Sequence, residues 1–370
     1  MKVAIVHDYL TQNGGAEKAL EIIHEVFPDA PVYTSVFNPK ALPSHFASWD
    51  IRTSFIQRIP YTRRNHQPFL PLYPLAFLTF DFKGYDVVIS HSSGFCHGIR
   101  VPEGATHINY CMAPPRFLWD SDRYLEREQL SAAVKLALRP LLYALKKWDI
   151  ASVKGVDYFL SNSKATGGRV QRIYGREVES VLYPPVDVQK FHRTSEPGEY
   201  YLIVSRLVPY KKVDLAIRAF NQLGLPLLIA GTGRDMGALK AMAKPNIQFL
   251  GWTDNEELAR LYAGCKALIF PGEEDFGIVP VEAQAAGRPV LAYAAGGALE
   301  TVIEGITGTF FNEQTPEALA EAVVRIADMT FDPAIIRNNA EQYDTEVFKA
   351  NLRDIVARLT SGKYTPTRTA

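Results

Sequence analysis

KALIFPGEEDFGIVPVEAQAAGRPVLAYAAGGALETV, residues 266–302, reads as one repeat of a parallel α/β sheet. Residues 267–270 form an apolar run of strand length, and Pro271 to Gly277 make a turn of glycine and acids. A helix is expected from near Val281, and residues 289–293 form a second strand. Upstream, residues 200–204, 226–230 and 247–250 repeat the rhythm, each followed by a turn and a helical pattern. Residues 3–6, 86–90, 107–111 and 158–161 do the same in the first half. Alternating strands and helices specify an α/β fold with doubly wound parallel sheets. A chain of 370 residues is long enough for two such lobes. Pro184, Pro185, Pro197 and Gly198 mark a linker, so the expected lobes are 1–190 and 191–342, facing a cleft, with residues 343–370 beyond them.

Hydrophobic residues make up 47% of the chain and charged residues 22%, the balance of a globular protein. Lys plus Arg and Asp plus Glu both number 40, which removes the basic footprint of a nucleic-acid binder. Cys96, Cys111 and Cys265 are scattered, and neither a disulfide framework nor a thiolate metal site is expected. That usage fits the cytoplasm. The apolar start, MKVAIVHDYL, breaks at His7 and Asp8 and reads as a strand rather than a leader. Residues 70–82 are interrupted by Pro71, Pro74 and Asp81, so any membrane contact would be peripheral.

Residues 1–190 hold 22 Lys/Arg against 18 Asp/Glu. Within them Arg52, Arg58, Arg63 and Arg64 are interleaved with Trp49, Phe55, Tyr61, Phe69 and Tyr73. This is either a solvated basic face or a surface for anionic headgroups or a lipid-linked pyrophosphate. Residues 130–148 place Lys135, Arg139, Lys146 and Lys147 among leucines, and the Leu and Ala spacing predicts a helix packed on the core.

Three segments carry candidate chemistry. Gly14 and Gly15 precede a helical run and read either as a plain turn or as backbone donors for a phosphate. They do not complete a G-x-G-x-x-G element, which argues against a nicotinamide or flavin enzyme. Arg206 stands at the carboxyl end of the 200–204 strand, with Lys211 and Lys212 just before the next helix; two cations at that sheet edge suit a diphosphate. Glu274 and Glu282 stand eight apart around Phe276, Gly277 and Ile278, whose N–H groups suit an anion. The two carboxylates suit a sugar and a nucleotide ribose. Asp120-Ser-Asp122 spells D-x-D but lacks the strand that would present it to a metal.

Taken with HDYLTQNGGAEK, YCMAPPRFLWD and SRLVPYKKVDLAIRAF, the EDFGIVPVEAQAAGRPV element resembles glycosyltransferase family 4, closest to its mannosyltransferase-like bacterial polysaccharide branch. The resemblance covers nearly the whole chain and implies the GT-B fold, with a C-terminal helix around residues 343–359 returning to the first lobe. It implies a retaining transfer of a hexose from a nucleotide-diphosphate sugar to a lipid-linked or saccharide acceptor in surface polysaccharide synthesis; the basic aromatic cluster around residues 49–73 points to the inner face of the plasma membrane as the place where a lipid-linked acceptor would be met. Arg206 and Lys211 would bind the diphosphate, Glu274 the transferred sugar and Glu282 the ribose. Gly14 and Gly15 would approach from the opposite lobe, with Gly231, Gly233 and Trp252 shaping the base pocket. Arg58, Arg63, Arg64 and Arg116 would face acceptor or membrane.

Relatives usually carry a histidine where this chain has Met112, beside the sugar's primary hydroxyl. Met cannot donate a hydrogen bond, so Met112 points to a 6-deoxyhexose such as rhamnose, whereas the resemblance implies mannose, either one carried on GDP; alternatively His91 or His97 supplies the imidazole. No cofactor or metal is expected, because cations and helix ends can stabilise the departing diphosphate. A non-catalytic scaffold of the same fold and a sugar-nucleotide epimerase are the competing readings.

Overall fold

The computed structural model describes residues 1–121, 132–191 and 198–361. The chain divides into two compact units, one of residues 1–183 with the chain from Phe348 onward, the other Pro184–Val347.

The first unit is built on β1 (Val3–His7), β2 (Val32–Thr34), β3 (Ile51–Thr53), β4 (Val87–Ser92), β5 (Thr106–Cys111), β6 (Tyr158–Ser161) and β7 (Ser180–Val181). They form one sheet in the order β3-β2-β1-β4-β5-β6-β7, and every pairing is parallel. All residues of β1 and β4 are buried, as a parallel sheet covered on both faces requires. Val3, Ile5, Leu20, Ile23, Val87 and Ile108 lie in one core with Phe348, Leu352, Ile355, Val356 and Leu359 of the C-terminal helix Thr345–Thr360. Arg358 adds a 2.9 Å ion pair with Glu179, and Lys349 one of 2.8 Å with Glu25.

The second sheet holds β8 (Tyr201–Val204), β9 (Leu227–Ala230), β10 (Ile247–Gly251), β11 (Leu268–Phe270), β12 (Val290–Tyr293) and β13 (Gly308–Phe311), in the order β10-β9-β8-β11-β12-β13. The helix Val213–Leu223 buries Val213, Leu215, Ala216, Ile217, Ala219 and Phe220 against it and ends at Gly224, whose φ of 69° needs a glycine. Residues 184–191 are fastened to this unit. Arg337 donates to the Phe191 carbonyl at 2.7 Å, and the Val186 N–H donates to Tyr343.

The helix Ala132–Ser152 departs from the expected core packing. Leu145 and Asp149 are buried, but Leu136 is 64% exposed, Tyr143 60% and Ile150 44%. Leu and Ala occupy more of its circumference than the core covers.

His107, buried on β5, accepts at Nε2 from the Ser90 hydroxyl (2.8 Å) and donates from Nδ1 to the Gly155 carbonyl (2.9 Å). The Ser90 oxygen in turn accepts from Asn109 at 2.8 Å, which leaves its hydrogen for His107 and assigns the neutral tautomer. Burial lowers the pKa from 6.5 to about 4, against the raising effect of the Gly155 bond. The unfolded chain therefore takes up a proton that the folded chain refuses between these values. Stability is full above 6.5 and falls as pH drops toward 4, by about 3 kcal/mol at most from this residue. Urea unfolding at about pH 7 and about pH 4.5 will show the drop, and it will shrink in His107→Gln. An equal drop in both proteins would assign the loss to other groups.

Candidate functional site

In a doubly wound sheet the chain leaves neighbouring strands in opposite directions at one place, and the crevice opens there. In the second unit that place lies between β8 and β11, which pair with each other. Arg206 and Lys211 follow β8, and Glu274, Phe276 and Gly277 follow β11.

The loop after β8 carries Arg206 exposed, with its guanidinium donating to the Tyr210 hydroxyl at 3.2 Å. Lys212 adopts φ 55°, a left-handed turn that ends the loop and starts the helix Val213–Leu223. Lys211 lies over the Tyr210 ring at 5.2 Å and pairs with the Glu274 carboxylate. Neither partner is fully buried; Lys211 is 12% and Glu274 22% exposed.

The loop after β11 is held from both sides by glycines. A Cβ at Gly272 would stand 2.9 Å from the Tyr210 carbonyl oxygen, and one at Gly296 or Gly297 would fall 2.2 Å from the carbonyl oxygens of Glu274 and Phe276. The Gly297 N–H donates to the Glu274 carbonyl at 2.9 Å. Glycine at these positions sets the carboxylate of Glu274 against Lys211. The following helix runs Ile278–Ala285, starting earlier than expected because Gly277, at φ 86°, makes the turn and Pro280 is tolerated in the first helical turn. Glu282 is consequently one turn inside the helix. It is 9% exposed and accepts from the Tyr262 hydroxyl at 2.7 Å. Burial and the Glu282 carboxylate both push the Tyr262 phenol well above 10, so it remains a donor.

Gly231 and Gly233 serve backbone contact. Their Cβ atoms would sit 1.9 Å from the Ser205 carbonyl oxygen and 2.1 Å from that of Leu207. They let the loops after β8 and β9 lie side by side, joined by the Leu207 N–H to Thr232 carbonyl bond of 2.9 Å. Trp252, beyond β10, is 78% exposed.

The first unit has its own reversal, between β1 and β4, and a side chain of this protein fills it. The Asp8 carboxylate accepts from the backbone N–H groups of Ser93, Gly94, Phe95 and Cys96 at 2.6, 2.7, 2.8 and 2.8 Å. Asp8 is 2% exposed. Gly14 caps the helix Gly15–Val26, and its N–H donates to the Glu17 carboxylate at 2.8 Å, so a phosphate there would compete with Glu17. His97 faces the buried Asp149 at 3.1 Å, and the ring of buried His91 stacks on Tyr110. Met112 is half-buried against the core. Arg58, Arg63 and Arg64 are exposed around Tyr61, which is 80% exposed and has φ 69°. Arg116 starts a short helix after β5 and is half-buried. Asp122 lies outside the described residues. Among the described residues no three His, Cys, Asp or Glu side chains converge as ligands.

Tyr210, Tyr262 and Asp8 are the participants that sequence reasoning missed. Tyr210 adjoins Lys211 and could have been found from that position. Tyr262 stands 20 residues before Glu282 with no local signal.

Residues 187–343 match the family described as Glycosyl transferases group 1. An uncharacterized glycosyltransferase of Methanocaldococcus jannaschii is 30% identical over 174 residues, 44% of each chain. A GDP-mannose-dependent monoacylated alpha-(1-6)-phosphatidylinositol monomannoside mannosyltransferase of Corynebacterium glutamicum is 34% identical over 140 residues, 34% of this chain and 36% of that one. The chain thus spans less than half the length of both relatives. The structure of Anabaena HepE in complex with UDP superposes with a TM-score of 0.71 over 97% of this chain and 100% of that one, at 17% identity. That likeness shows the fold, the GT-B type built from two Rossmann-like units.

Proposed function

We infer, from the match of residues 187–343 to group 1 glycosyl transferases, that the chain is a glycosyltransferase whose donor site is the β8/β11 crevice. The observation that carries this reading is the Lys211–Glu274 pair at that crevice, with Arg206 on the same loop as Lys211. A nucleotide-diphosphate sugar brings two negative phosphates, for which Arg206 and Lys211 are natural partners, and hydroxyls for which Glu274 is an acceptor.

In the reaction the C1–O bond to the diphosphate breaks and the acceptor oxygen bonds to C1. The acceptor proton passes to the departing phosphate oxygen on the same face, so configuration is retained. Charge grows on the diphosphate as that bond opens, and fixed cations there stabilise the transition state more than the ground state. We propose that Arg206 and Lys211 do this without a metal ion and that the Glu282 carboxylate, oriented by Tyr262, meets the ribose. The proposed donor is a GDP-hexose, mannose or a 6-deoxyhexose such as rhamnose. A GDP-mannose-dependent relative favours the guanine nucleotide, and Met112, which offers no hydrogen-bond donor, favours the deoxy sugar. The proposed acceptor is a lipid-linked or other saccharide of surface polysaccharide synthesis, met by Arg58, Arg63, Arg64 and Arg116.

Calorimetric titration with GDP, UDP and dTDP in chelator tests the donor half without an acceptor. Binding of one nucleotide, GDP, is expected to survive chelation and to be lost in Arg206→Ala. Preference for UDP would replace the donor assignment, and no binding by any of the three would make the protein a scaffold of this fold.

A further inference from the structure

We propose that the outer face of the helix Ala132–Ser152 is a docking surface for an anionic lipid bilayer, and this stands whether or not the chain transfers a sugar. At 100° per residue, Leu136, Tyr143 and Ile150 fall on one stripe, spaced by seven, with Lys147 between the last two and Arg139 beside it. All five are exposed. The opposite stripe is the packed one: Leu145 is buried, and Leu142 and Trp148 lie partly buried against the same core.

The charge on this helix is one-sided. Lys135, Arg139, Lys146 and Lys147 are its cations, and Asp149 is its sole acid. Asp149 is fully buried and accepts from Trp119 Nε1 at 2.8 Å and from the Tyr174 hydroxyl at 2.9 Å, so it offers nothing to the outside. Lys147 lies over the Tyr143 ring at 4.7 Å, which places a cation at the edge of the apolar stripe.

A helix on a water-facing surface normally turns polar residues outward, whereas this one presents large apolar side chains among cations along roughly 20 Å. That combination suits lying in a headgroup layer: leucine, isoleucine and the tyrosine ring enter the acyl boundary while the cations meet lipid phosphates. No helix among the described residues is long and apolar enough to cross a membrane, so the helix would lie in the plane of the surface.

Co-sedimentation of the full chain with vesicles of phosphatidylcholine alone, or containing about one-third phosphatidylglycerol, tests the proposal. Binding to the anionic vesicles is expected, and it should weaken with added salt. Leu136→Ser with Tyr143→Ser should lower the partition coefficient about tenfold. Arg139→Gln and Lys147→Gln should each lower it about fivefold. Because these side chains are exposed, the thermal midpoint should stay at the wild-type value, which separates lost docking from lost folding. No binding by the wild-type chain, or equal binding by the Leu136/Tyr143 variant, would overturn the proposal. So would loss of binding caused only by Arg58→Gln, Arg63→Gln and Arg64→Gln, which would assign docking to that other face. Self-association abolished by the Leu136 and Tyr143 substitutions, without vesicle binding, would give the face to a second copy of the chain.

Discussion

Lys211→Ala is expected to slow sugar transfer by about 10²–10³-fold, the cost of removing one positioned group that stabilises transition-state charge. Glu274→Gln separates the two halves of the pair. It removes a negative charge beside the incoming diphosphate and releases Lys211, so nucleoside diphosphate should bind tighter than to the wild type while transfer still falls. Lys211→Ala should lose both binding and rate. Single-turnover transfer beside calorimetric GDP titration reads both quantities. Equal weakening of GDP binding in the two variants would mean that the pair holds the loop after β11 in place rather than exchanging partners with a ligand.

The largest expected effect on stability is at Asp8. Its carboxylate takes four backbone N–H bonds, and Asp8→Ala would strand the donors at 93–96, those of Gly94, Phe95 and Cys96 buried and that of Ser93 half-buried. Hydrogen bonds to a charged group contribute about 1.5–3 kcal/mol each and an unsatisfied buried donor costs about 1–3 kcal/mol; they do not add fully, so a loss of about 4 kcal/mol is expected. That is a large share of an ordinary domain's stability. Asp8→Asn, which keeps one acceptor oxygen, should lose about half as much. Urea unfolding followed by circular dichroism measures both. A loss below about 1 kcal/mol in Asp8→Ala would show that the loop finds other acceptors.

The central strands and the residues at the β8/β11 edge were legible because their signals are local. The strands at 200–204, 226–230, 247–250, 267–270 and 289–293 are buried apolar runs, and the structure places β8 to β12 within one residue of each. Arg206, Lys211 and Glu274 were readable as residues at strand ends. β2, β3 and β7 were missed because they have two or three residues and lie toward the sheet's edges, too short to show a period. β13, at the edge of the other sheet, has four residues and opens on Gly308, so it carries little strand signal. Asp8 escaped for another reason: its partners are main-chain amides about 85 residues away, and no side-chain pattern announces them. Gly231 and Gly233 were read as pocket residues, although the carbonyl oxygens of Ser205 and Leu207 already account for glycine there. The helix Ala132–Ser152 shows the limit of apolar spacing, which identifies faces that want cover without saying what covers them.

The return of the helix Thr345–Thr360 to the first sheet has a consequence for synthesis. The second unit is continuous in the chain and can complete its core while the ribosome is still at work, but the first unit, although made first, waits for Phe348, Leu352 and Ile355. For the time it takes to translate about 160 residues, the core that holds Val3, Ile5, Leu20, Ile23 and Tyr110 lacks the apolar side chains of that helix. A nascent chain stalled before residue 348 would hold a complete second unit and an unfinished first core, the state a chaperone would meet.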